Sequence, residues 1–129
     1  MRKIYHLAVE ATLDIIRGKW KLRILCHLGN GPLRTGELRR LMPGISQKML
    51  TQSLKDLENA HIVNRRSYNE VPPRVEYSLT ERGMSLRNIL LEMSDWGTAL
   101  VKEQQEEGDD VKILNPNDDG FKNMGNQSR

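Results

Sequence analysis

The chain has 129 residues, 37% of them apolar and 29% charged, with a formal charge of +3 at neutral pH. That is enough for one domain with a modest core, no apolar run approaches the ~20 residues that span a bilayer, and Glu10, Asp14 and Arg17 break the opening where a signal peptide would be apolar. One cysteine excludes an internal disulfide framework and a multi-cysteine zinc site, so a cytoplasmic protein with a reduced thiol and no membrane partner is expected.

In chain order, Val9, Leu13 and Ile16 recur at helical spacing over Val9–Arg17, and Gly18 stops the run. A second helix is predicted over Lys19–Leu28, with Trp20, Ile24, Leu25 and Leu28 as its stripe and Gly29-Asn30-Gly31-Pro32 as its end. A short third helix starts with Thr35 as N-cap and Glu37 in the first turn, carries Leu38 and Leu41, and stops at Pro43-Gly44. Ser46 caps a fourth helix running from Gln47 to about Ala60. Two helices separated by Pro43-Gly44-Ile45 alone are a helix-turn-helix signal.

The period then changes to that of strands. Ile62–Tyr68 and Arg74–Leu79 flank a tight loop that holds both Pro72 and Pro73, with Val75, Tyr77 and Leu79 on one face and Arg74, Glu76 and Ser78 on the other. Thr80 caps a single last helix with the stripe Leu86, Ile89, Leu90, Met93, Trp96, Leu100 and Val101. Residues 109–129 are polar and rich in Asn, Asp and Gly, and are expected to form a largely disordered tail. The predicted class is mainly α within α+β: a winged helix-turn-helix with a two-stranded wing and a long C-terminal helix.

Charge is divided along the chain. Residues 1–102 hold 17 Lys+Arg against 10 Asp+Glu, net +7, and residues 103–129 hold 3 against 7, net −4. A basic body suits a polyanion partner, although ordinary solubilising charge explains the same balance. On the fourth helix Leu50, Ser53, Leu54 and Leu57 point inward, while Lys48, Thr51, Gln52 and Lys55 gather opposite, with Asp56 and Glu58 at the flanks. Lysine meets phosphate or guanine, glutamine pairs with adenine, and threonine touches a thymine methyl or a phosphate. A plain solvated face would carry the same residues.

The hairpin adds the cations of a wing. Arg74 sits at the loop end, and Arg65 and Arg66 lie on the first strand, where alternation lets at most one face a duplex. The other would be solvated or paired with Glu76. Arg39, Arg40 and Lys21 offer further phosphate contacts, as do Ser46 and the first-turn amides of the fourth helix.

Several stretches in order resemble one family. Val9-Glu10-Ala11-Thr12-Leu13-Asp14-Ile15-Ile16-Arg17-Gly18-Lys19-Trp20-Lys21, Gly31-Pro32-Leu33-Arg34, Glu37-Leu38-Arg39-Arg40, the run from Pro43 to Gln52, the run from Glu70 to Thr80 and Asp95-Trp96-Gly97 are similar to the HxlR-type winged-helix transcriptional regulators. The resemblance covers roughly residues 7–101. It implies a homodimeric bacterial regulator that binds double-stranded DNA, with the first segment (residues 1–8) and the end of the 9–102 domain building the dimer interface. Ser46, Gln47, Lys48, Thr51 and Gln52 fall in the recognition segment, and Lys55 follows on the same outward face. Stripe positions Leu86, Leu90, Met93, Gly97 and Leu100 step by four and three like a helix-pairing seam, and Ile4, Tyr5 and Leu7 need a cover. Many family members carry a cysteine before the Val-Glu pair, and some use it to sense electrophiles or oxidants; Leu7 stands there in this chain, and Cys26 reads as a small buried hydrophobe.

Catalysis is not expected, and neither is a cofactor. His6, His27 and His61 have no ligand spacing to one another or to Cys26, and Gly29-Asn30-Gly31 lacks the Gly-Lys-Ser/Thr of a phosphate cradle. The remaining alternative is a winged helix that binds protein rather than DNA. In the DNA-binding arrangement a small-molecule effector would act by changing the relative placement of the two recognition helices.

Overall fold

The computed structural model describes residues 2–115 and 119–125. Helices α1 (Ala8–Ile16) and α2 (Lys21–Leu28) lead into a two-residue strand, β1 (Leu33–Arg34). Helices α3 (Thr35–Leu41) and α4 (Gln47–Asn59), the hairpin β2 (Val63–Tyr68) and β3 (Arg74–Leu79), and helices α5 (Glu81–Met84), α6 (Arg87–Glu106) and α7 (Asp119–Asn123) follow. The winged helix-turn-helix order is the one predicted. The sheet, however, has three strands in the order β1-β3-β2, all antiparallel.

Strand β1 escaped prediction because two residues carry no period. It also shifts a cap. Pairing of Leu33 with Tyr77 and Arg34 with Glu76 holds the chain extended through Arg34, so Arg34 rather than Thr35 occupies the N-cap position of α3. The Glu37 carboxylate reaches back to accept the Arg34 N–H at 2.8 Å. Ser46 caps α4 as expected, its Oγ accepting from the Met49 N–H at 3.0 Å.

One core joins the elements. Ile24, Leu25 and Leu28 of α2, Leu38 of α3, and Leu50, Leu54 and Leu57 of α4 are buried with Ile62, Val63 and Leu79 of the hairpin region. Each such side chain contributes about 1.5–3 kcal/mol on leaving water. Gly44, at φ +93°, makes the α3–α4 turn in a conformation that side chains disfavour, while Met42 and Ile45 plug the turn into the core.

The single last helix predicted after Thr80 is two helices. Thr80 does cap the first: its Oγ1 donates to the His61 carbonyl and accepts from the Gly83 N–H. Gly83 lies so close to Ile62 that a Cβ would meet the Ile62 carbonyl oxygen at 2.4 Å. Ser85 and Leu86 then bond to carbonyls three residues back, and the tightened turn separates α5 from α6.

The expected disorder of residues 109–129 does not extend over residues 119–124. Asp119–Asn123 fold as α7, which packs on α2 and α6 and buries Phe121 and Met124. Gly120 and Gly29 allow the close approach: a Cβ on Gly120 would sit 1.6 Å from the Cys26 carbonyl oxygen. The Asn123 amide donates to the Asn30 side chain, and Arg87 Nε donates to the Lys122 carbonyl at 3.0 Å. The rest of the tail expectation, residues 116–118 and 126–129, lies outside the described residues.

The N-terminal arm is tied to α1 through Asp14, which accepts from the Tyr5 hydroxyl at 2.9 Å and from Lys3 at 3.2 Å. These hydrogen bonds, Tyr5 foremost, hold the Asp14 carboxyl below its ordinary range. Among the described residues, no helix is long and apolar enough to cross a membrane, and no cluster of His, Cys, Asp or Glu is arranged to hold a metal ion.

Candidate nucleic-acid interface

Helix α4 presents two faces. Leu50, Ser53, Leu54 and Leu57 are buried, and Gln47, Lys48, Thr51, Gln52 and Lys55 are exposed. The exposed face is organised rather than free. Gln47 donates its amide to Thr51 Oγ1 at 3.2 Å and accepts from Arg39 of α3 at 3.4 Å. Gln52 donates to Asp56 Oδ1 at 2.9 Å, and the other Asp56 oxygen pairs with Lys21 of α2 at 3.5 Å. Lys21, offered by the sequence as a phosphate contact, is thus committed to Asp56. Arg40 remains exposed on α3, beside the same turn.

The wing places its arginines on opposite faces. Arg65 pairs with Tyr77 across the ladder, so it shares a sheet face with Val63, Ser67, Val75 and Leu79, the face that packs toward α4. Here Arg65, Asn64, His61 and Tyr77 face Thr51, Lys55 and Asn59 across a cleft of ≈ 700 Å³. Arg65 donates to Ser67 Oγ at 3.3 Å and stays exposed. Alternation allows at most one of Arg65 and Arg66 on the α4 side, and the structure brings Arg65 there.

Arg74 lies on the far face of the hairpin, paired with Tyr68 in register, where its guanidinium stacks on the Tyr68 ring at 3.7 Å. Glu70 takes it at 2.9 Å and Glu76 at 3.4 Å, while the Tyr68 hydroxyl donates to Glu76. Its Nε is buried without a hydrogen-bond partner. Together these contacts make Arg74 a clamp that closes the hairpin. Glu76 is thus held by Arg74 and Tyr68, and of the two alternatives open for the second strand arginine, solvated or paired with Glu76, Arg66 takes the solvated one. Arg66 is exposed on that far face, 4.8 Å over the Tyr68 ring.

The predicted pairing seam on α6 is also split. Leu90 is 2% exposed and belongs to the chain's own core, and Leu86 packs against that core. Met93 (43%), Trp96 (70%) and Leu100 (37%) are exposed together with Ile89, and Gly97 faces open space. Ile4, Tyr5 and Leu7 are exposed in the arm. Cys26 is half-buried on α2 beneath Gly120.

Sequence reasoning missed Asn59, His61, Asn64 and Tyr77 as walls of the cleft. The Arg65–Tyr77 register was the available signal, since residues opposite one another in an antiparallel pair share a face.

Comparison with known proteins agrees with this geometry. The HxlR-like helix-turn-helix family model matches residues 15–105. The HTH-type transcriptional regulator YtcD of Bacillus subtilis (strain 168) is 57% identical over 113 residues, covering 88% of each chain. A crystal structure of ytcD superposes with TM-score 0.72 at 54% identity, covering 74% of this chain and 98% of that one. The redox regulator HypR in its reduced form superposes with TM-score 0.69 at 49% identity, covering 72% of this chain and 92% of its own. The chain, with its helix-turn-helix, a wing on a three-stranded sheet and a long C-terminal helix, belongs to the HxlR-like helix-turn-helix family of DNA-binding transcriptional regulators.

Proposed function

We propose that the protein acts in the cytoplasm as a homodimeric repressor, seating two copies of α4 in successive major grooves of a two-fold related operator. It works by binding, not by turnover, and uses no cofactor. The observation that carries this reading is the exposed face of α4. Gln47, Lys48, Thr51, Gln52 and Lys55 stand there, Arg65 stands across the cleft, and of the two flanking carboxylates Asp56 is neutralised by Lys21 while Glu58 lines the cleft beside Lys55. In this reading Lys48, Thr51 and Lys55 meet base edges and phosphates. Arg65 holds the strand between the two grooves, and Ser46, Arg39 and Arg40 flank it.

The apolar residues left uncovered on α6 (Ile89, Met93, Trp96 and Leu100) and on the arm (Ile4, Tyr5 and Leu7) support pairing of two chains. With Leu7 in place of a thiol, the signal that releases DNA is proposed to be a small molecule rather than oxidation at that position. The test is selection of genomic duplex fragments by the purified protein. Recovered sites with half-sites about one turn apart, roughly 34–36 Å, are expected; fragments without any shared two-fold pattern would overturn the proposal.

A further inference from the structure

We propose that Gln52 reads adenine, and that Asp56 and Lys21 are positioning residues that fix its amide for that task. The inference rests on α4 being the groove-reading helix. Gln52 donates to Asp56 Oδ1 at 2.9 Å, and Lys21, only 18% exposed at its side chain, holds Asp56 Oδ2 from the neighbouring helix at 3.5 Å. Lys21 opens α2, whose next turn carries the fully buried Ile24 and Leu25, so the carboxylate is anchored to the rigid body of the domain.

The chemistry of a carboxylate decides which way the amide points. An ionised Asp56 only accepts, so Gln52 must turn its NH2 group toward it. One amide hydrogen is spent there. The second hydrogen and the carbonyl oxygen remain, one donor and one acceptor at a fixed orientation. In the major groove adenine offers the matching pair, the N7 acceptor and the N6 donor. Guanine presents two acceptors at the same place, so the carbonyl oxygen of a fixed amide would oppose an acceptor. An untethered glutamine would rotate to suit either purine. Gln47 on the same face is different, since Thr51 takes its amide hydrogen and Arg39 occupies its carbonyl. Gln52 is the glutamine of α4 whose acceptor is left for a base.

The charge balance gives the proposal a signature that loss of folding would not imitate. Removing Asp56 deletes a negative charge beside the duplex and releases the Lys21 ammonium. Binding to arbitrary duplex should therefore strengthen while discrimination weakens.

The experiment is binding-site selection with the full chain and its Gln52→Ala, Asp56→Ala, Asp56→Asn and Lys21→Ala variants, each checked for an unchanged melting profile. Affinities for duplexes altered at one base pair per half-site are then measured. The parent should prefer adenine at one position by about tenfold, the scale of one good bidentate contact. Gln52→Ala and Asp56→Ala should both flatten that position alone, Asp56→Ala with raised affinity for unrelated duplex. Asp56→Asn, whose amide donates as well as accepts and whose single oxygen Lys21 can claim, no longer dictates which way the Gln52 amide points and should lose most of the preference, and Lys21→Ala should fall between the parent and Asp56→Ala. Preference kept in Asp56→Ala but lost in Gln52→Ala would overturn the positioning role, and preference kept in Gln52→Ala would overturn the reading role. Lys48→Ala combined with Lys55→Ala serves as the reference: if it leaves duplex affinity unchanged, the placement of α4 itself is wrong.

Discussion

Alanine at Gly120 should lift α7 off the body of the domain. The new Cβ would lie 1.6 Å from the Cys26 carbonyl oxygen and 2.5 Å from its carbon, and backbone in the middle of α2 cannot swing aside as a long side chain would. Lifting α7 exposes Phe121 and Met124, at about 1.5–3 kcal/mol each, and breaks the Arg87 and Asn123 hydrogen bonds, at about 1 kcal/mol each. Against this, five helical residues regain about 1 kcal/mol or more apiece of chain freedom. The two sides nearly cancel, so the variant should lose about 1–2 kcal/mol, a fall of roughly 3–8 °C in melting temperature for a domain of this size. Thermal unfolding followed by circular dichroism reads the loss. Because the Cys26 sulfur lies 3.0 Å from the same Cβ position, a thiol reagent should also react with Cys26 several-fold faster. A Gly120→Ala protein with the parent's melting temperature and labelling rate would refute the docking of α7 on α2.

Other perturbations separate roles that the sequence merged. Met93→Glu should shift the protein toward monomer in sedimentation velocity at unchanged stability, because Met93 is exposed; Leu90→Ala should instead cost the fold about 2–5 kcal/mol, because Leu90 is buried. An intact dimer from Met93→Glu would remove α6 from the interface. Arg65→Ala should lower duplex affinity without changing stability, whereas Arg74→Ala should loosen the hairpin by stranding Glu70 and Glu76; equal affinity losses with equal stability would contradict the assignment of the two faces. Burial holds the His27 imidazole below its ordinary value of 6.5, so the unfolded chain takes up the proton first as acidity rises. The stability that neutral His27 confers above that value declines as pH falls below it, and His27→Gln should flatten the urea-unfolding profile on the acid side of 6.5. Parallel profiles would show that His27 carries none of the dependence.

The reading unit was legible because its signals are local and agree with one another. Ser46 caps, Pro43-Gly44 turns, and the Leu50–Leu57 stripe selects the buried face of α4, so the outward residues followed by elimination. What escaped was set by partners distant in sequence. Strand β1 exists only through Tyr77 and Glu76. Helix α7 has just Phe121 and Met124 as apolar signal in a polar stretch, and it exists because Gly120 fits against Gly29 and Cys26 some ninety residues earlier. The clamp on Arg74 depends on the register that sets Tyr68 opposite it and on Glu70 curling back from the loop. The four-three spacing of α6 was real, but spacing cannot say whether Leu90 serves its own core or another chain.

The salt dependence of duplex binding tests the account most directly. Lys48 and Lys55 are exposed and join no ion pair among the described residues, so in a dimer they supply four cations. If each neutralises a phosphate, replacing both by alanine should make the slope of log affinity against log salt shallower by about 3 to 4, at roughly 0.9 per contact, with weaker binding at every salt concentration. A double variant with the parent's affinity and slope would contradict the claim that this face of α4 lies on DNA.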